Sequence, residues 1–168
     1  LKAKTLTVKD GSSKNGSLKA DILNVAGTFA LGDKTEVGQA TVKGSATLNA
    51  TTLGLNKLDV AQNGQMTATS ALTADELANA GSVDADTVTV NNTLTNNGTL
   101  KAKTLTVKDG SSKNGSLTAE VLNVAGAFEL GTNELKQVNV NGGASLAAQT
   151  LDLASLTVAQ EGKLTAAD

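Results

Sequence analysis

The chain has 168 residues, a net charge of −2, no Cys, His, Trp, Tyr, Pro or Arg, and only Phe29 and Phe128 as aromatic residues. This inventory excludes disulfides and thiolate metal sites, leaves no His or Cys to act as base or nucleophile, and offers no basic block or aromatic–basic interleaving for nucleic acid. No apolar run approaches the ~18 residues of a membrane span, and the length suffices for one domain with a sizeable core.

From the first residues onward apolar and polar side chains alternate, as in Leu1-Lys-Ala3 and Leu6-Thr-Val8. A period of two predicts strands, here of three to five residues each, and the abundance of Thr and Val suits a pleated surface. The alternation belongs to a motif, G-x-L-x-A-x-x-L-x-V, whose leading apolar residue falls at Leu1, Leu18, Leu48, Met66, Val83, Leu100, Leu117, Leu146 and Leu164. Two positions after each lead stands Ala, at Ala3, Ala20, Ala50, Ala68, Ala85, Ala102, Ala119, Ala148 and Ala166. A Gly stands two before the lead at Gly16, Gly64, Gly81, Gly98, Gly115 and Gly162. Most steps between leads are 17 or 18 residues, and two are about 30. The long steps are read as insertions of about 12 residues, at 32–43 and 131–142, forming solvent loops or an outlying strand. Phe29 and Phe128 precede them at matching phase and are expected to fill core beneath them. The stretch 71–81 disturbs the register, which predicts a bulge or a single helical turn there.

A longer repeat encloses the short one. LKAKTLTVKDGSSKNGSL at 1–18 returns unchanged at 100–117, a displacement of 99 residues, and the second copy (100–168) is incomplete. A hairpin meander has no reason to place the same side chains every 17–18 residues in one direction; a coil that returns to the same place does. The expectation is therefore all-β: a right-handed, three-sided parallel β-solenoid over 1–168 as a single segment, with about 8 rungs of 17–18 residues and two insertions. Lead stacks on lead and Ala on Ala about 4.8 Å apart, and the recurrent Gly supplies corners with positive φ. The outward columns then pair Asp84 with Lys101 and set Lys103 between Asp86 and Glu120.

The outward polar residues read as solvated surface. Asp84 and Asp86 are a carboxylate pair on a flat face, not an acid and base. The glycine-rich calcium-roll pattern is absent, so no metal site is expected. Asn91-Asn92 and Asn96-Asn97 read as corner residues stacked into amide ladders. The pairs Thr5/Thr7, Thr87/Thr89 and Thr104/Thr106 suit strands, and a continuous ice-binding array is broken by Asn123 and Asp152. No catalytic residue, cofactor or enzyme activity is expected.

The stretch 94–107, with GTLKAKTLTV at 98–107, resembles the parallel β-helix passengers of bacterial type V secreted proteins, a group that includes autotransporter passengers and filamentous-haemagglutinin-like adhesins. The resemblance implies display at the cell surface or outside it and a stalk role, with the neighbouring rungs of a longer protein as partners. No nucleic acid or membrane contact within the segment is expected, and uncapped ends predict end-to-end self-association. The alternative is a ligand-binding solenoid that meets glycan or protein through 32–43 and 131–142, or ice through Thr arrays.

Overall fold

Alternating strands must bury every second side chain, and a strand of three to five residues can do so only against other strands of the same kind. The chain solves this by coiling. The computed structural model describes residues 1–166; residues 167 and 168, and the side chain of Ala166, lie outside what is described. About three-quarters of the chain is strand, there is no helix among the described residues, and the strands pair in parallel into a β-solenoid of about ten turns. The sequence count of about 8 rungs is therefore too low.

Each turn carries three ladders, so the coil is three-sided. Between two successive turns, Met66 pairs with Val83 on one side, Leu72 with Val88 on the next and Leu77 with Leu94 on the third. The first face runs through Ala3, Ala20 and Val37, is interrupted, and resumes through Leu55, Ala74, Val90 and Val107. The second stacks Val8, Val25, Val42, Val60, Asn79 and Asn96. The third stacks Gly11, Phe29, Leu48, Met66, Val83 and Leu100. Their inward side chains form one continuous apolar cluster along the axis, from Leu18 to Ala148.

These ladders correct the reading of the long steps. Residues 32–43 are not an inserted loop: Thr35–Val42 is a strand in register with Leu18–Val25, and Val37, Ala40 and Val42 are core. Residues 131–140 likewise fall within the strand Ala127–Val140, with Leu135, Val138 and Val140 buried, and 141–142 begin the turn after it. The two extra turns are these segments. What changes across them is the face that carries the motif. Leu1 and Leu18 lead on the first face, whereas Leu48, Met66, Val83 and Leu100 lead on the third. A step of about 30 residues is one and two-thirds turns, and not one turn with a loop.

The 99-residue repeat inherits this mismatch. From Leu1 on the first face to Leu100 on the third the chain completes five and two-thirds turns, roughly 17.5 residues each (99 over five and two-thirds). The same 18 residues are therefore built into different sides of the rod. Phe29 stacks on Gly11 in the third face, and Phe128 on Gly110 in the second. Both rings are buried as expected.

Two local expectations also change. At 71–81 there is no helical turn; the strand Gln65–Asn79 continues through it with shifts of register after Ala68 and Ala74, so the bulge alternative holds. The recurrent Gly residues do not supply positive φ. Among glycines that conformation occurs at Gly11, Gly110 and Gly143, and otherwise at Ser45, Asn63 and Glu161. In Ala61-Gln62-Asn63-Gly64 the left-handed residue is the one before the Gly, and Gly64 N–H closes the turn on the Ala61 carbonyl at 2.8 Å. At Gly64, Gly81, Gly98, Gly115 and Gly162, though not at Gly16, the residue serves close approach instead: a Cβ on Gly98 would lie 2.1 Å from the Gly81 carbonyl oxygen. Glycine is needed there because backbone meets backbone at the corner.

Candidate interaction surfaces

The outward residues next to the alanine column line a groove of about 630 Å³ running along turns five to nine. Its floor is the strand backbone at Ala85, Ala102, Ala119 and Leu135, whose side chains point into the core. One rail holds Asp84, Lys101, Thr118 and Glu134; the other holds Asp86, Lys103, Glu120 and Lys136. The second rail is closed by its own charges, with Lys103 Nζ 2.9 Å from Asp86 and Lys136 Nζ 3.0 Å from Glu120. The expected column is thus present, Asp84 pairing with Lys101 and Lys103 donating to Asp86, while Glu120 accepts from Lys136 and acts on Lys103 only through its charge. The hydrogen bond and charge of Asp86 raise the Lys103 pKa above the ordinary lysine value. These are exposed pairs, and their contribution to stability is small.

Of Asn91, Asn92, Asn96 and Asn97, the corner residues expected to stack into amide ladders, only Asn96 bonds another Asn side chain, and it does so inside the coil. Asn79 and Asn96 are buried on the second face, where Asn79 Nδ2 donates to Asn96 Oδ1 at 2.8 Å and Asn96 Nδ2 to Ser112 Oγ at 2.9 Å. Each amide also reaches a backbone carbonyl one turn on, of Thr99 and Ser116 respectively. No buried side-chain polar atom lacks a partner among the described residues. Asn91 lies at an exposed corner and donates to Asp75. The partner of Asn96 is Asn79, which stands where the earlier turns of the second face have Val8, Val25, Val42 and Val60.

The Thr pairs do not form one array. Thr87/Thr89 and Thr104/Thr106 are in register on the first face, and Thr5/Thr7 sits on the second. Asn123 does continue the column, donating to Thr106 Oγ1 at 3.3 Å and accepting from Asn139 Nδ2 at 2.8 Å. Among the described residues no three His, Cys, Asp or Glu side chains are grouped to hold a metal ion.

Comparison of the chain with family models, with curated proteins and with solved structures gave no match. The fold is a parallel β-solenoid on its geometry alone.

Proposed function

We propose that the chain is a non-catalytic length of shaft in a bacterial surface or secreted adhesin-like protein, similar to type V passengers, holding a distal element away from the cell. One observation carries this reading: the 99-residue repeat builds more rod without presenting its copies on a common side. A repeat selected to offer one binding face would keep an integral number of turns per copy. Five and two-thirds turns per copy is indifferent to azimuth and adds length, about 27 Å at ~4.8 Å per turn. Partners are then the rungs that stack on either end. Ligand binding through 32–43 and 131–142 loses its loop geometry, since both segments are core-forming strands.

The test is replacement in the full chain displayed on cells. Exchanging 1–168 for an unrelated parallel solenoid of equal length should preserve adhesion, and deleting it should reduce adhesion. Loss of adhesion with the equal-length exchange overturns the shaft reading.

A further inference from the structure

An Asn followed by Gly is chemically labile, because the side-chain amide lies within reach of the next backbone nitrogen and Gly puts no side chain in the way. The pair occurs five times, at Asn15-Gly16, Asn63-Gly64, Asn97-Gly98, Asn114-Gly115 and Asn141-Gly142. The fold treats the five differently, and the difference lies in what holds the Gly.

Four are restrained. Gly16 N–H donates to the Ser13 carbonyl at 3.1 Å, Gly64 N–H to that of Ala61 at 2.8 Å and Gly98 N–H to that of Asn79 at 3.0 Å. Gly115 lies within the strand Thr99–Val124, where an added Cβ would stand 2.6 Å from the Asn96 and Gly98 carbonyl oxygens. Gly142 N–H takes part in no backbone hydrogen bond among the described residues, and Asn141, Gly142 and Gly143 are all exposed. The turn explains the contrast. Among the described residues four corners share one form, at 43–46, 61–64, 141–144 and 159–162, each closed by the fourth N–H on the first carbonyl with positive φ at the third residue. In that form the second N–H is not used by the turn. Asn63-Gly64 fills the third and fourth places, so its Gly N–H is the closing bond. Asn141-Gly142 fills the first and second, so its Gly N–H is left over.

We propose that Asn141 is a self-modification site, converting to isoaspartate and aspartate in the folded protein ahead of the other four pairs. The Gly142 nitrogen attacks Asn141 Cγ and forms the new C–N bond of a cyclic imide. The Cγ–Nδ2 bond breaks, and Nδ2 leaves as ammonia with the proton that Gly142 gives up. Water then opens the ring: cleavage at the Asn141 backbone carbonyl leaves isoaspartate, and cleavage at Cγ leaves aspartate. The net change is amide plus water to carboxylate plus ammonium, with nothing oxidised or reduced. The attack needs the nitrogen within about 3 Å of Cγ, which an unbonded N–H in an exposed Asn-Gly-Gly segment permits. Isoaspartate adds one atom to the main chain and turns the carbonyl that accepts from Ala144 N–H at 3.0 Å into a pendant carboxylate. The joint between the strands Ala127–Val140 and Ser145–Ala148 is loosened by it, beside the buried Ala144. None of this depends on the shaft reading.

The experiment is incubation of the folded 168-residue chain in mildly alkaline buffer, with a parallel sample in concentrated urea, followed by peptide mapping with mass spectrometry. In the folded chain Asn141 should lose its amide at least about tenfold faster than any other Asn-Gly pair, and urea should bring the five to within about threefold of one another. The joint replacement Ala61→Asn, Gln62→Gly puts the same pair into the first two places of the 61–64 corner and should make position 61 as labile as Asn141. Asn141 no faster than the other pairs, the same lead in urea, or a position 61 as durable as Asn63 would overturn the proposal.

Discussion

Residues 1–18 and 100–117 are the same sequence in two situations, one at the open end of the coil and one inside it. Their local hydrogen bonds agree. Asp10 Oδ1 accepts from Thr28 N–H at 2.8 Å, and Asp109 Oδ1 from Ala127 N–H at 2.7 Å. Ser12 Oγ and Ser111 Oγ each accept from the N–H two residues on, at 3.1 Å. The surroundings do not agree. Leu1 is 71% exposed and Leu6 and Val8 are partly buried, whereas Leu100, Leu105 and Val107 are fully enclosed. Ser13 Oγ accepts from Gly32 N–H, while its counterpart Ser112 is buried and takes the amide of Asn96. Local bonding follows the residues; face and burial follow the turn beneath.

The comparison can be broken most sharply by paired substitutions. Leu100→Ala should cost about 2–5 kcal/mol, the loss expected for a buried leucine, and Leu1→Ala should stay within about 0.5 kcal/mol. Chemical denaturation midpoints of the two variants decide this, and equal losses would place both copies in one environment. Ala102 lies between Ala85 and Ala119 where space is short, so Ala102→Leu should cost about 1–3 kcal/mol through overpacking. Ala3→Leu, on the partly exposed end turn, should cost clearly less in the same thermal melts.

Asn96→Ala tests what the interior copy gained. It strands the Asn79 and Ser112 side chains in the core, an expected loss of about 1–3 kcal/mol. Recovery of much of that stability in the triple replacement Asn79→Val, Asn96→Val, Ser112→Ala would show that the ladder sets register more than stability.

The smallest effect is electrostatic. Lys19, bonded to Glu36, has its pKa raised, and the hydrogen bond and charge of Lys19 lower that of Glu36. A depressed carboxylate contributes stability that is present above its unfolded pKa and fades as pH falls through the folded one. Lys19→Met should therefore lower the melting temperature slightly near neutrality, and the difference from the parent chain should fade as pH falls through and below the ordinary glutamate range. Melts in 1 M salt should erase the difference, because both groups are exposed.

Much of this architecture is legible in the residues. Alternation at Leu105-Thr-Val107 gives the strands, and the 17-residue return from Val83 to Leu100 gives the parallel stacking and the Lys103–Asp86 contact. The face switch was less visible, because Thr35 and Asn133 stand at positions where the motif has a leading apolar residue. A search for the motif steps over those turns and reports an insertion.

The sequence by itself determined the strands, their parallel stacking and the approximate turn length, because each follows from nearest-neighbour chemistry: period two, a fixed return distance, Gly where backbones meet. It also determined the Asp10 and Asp109 caps, which repeat wherever their residues repeat. Only the tertiary structure decided which side of the rod each segment occupies. That property is a sum over every preceding turn, and turns of 16 to 19 residues all close on the same three ladders. A face is therefore fixed by accumulated registers such as Leu53 with Leu72 and Val88 with Leu105, which no local pattern carries.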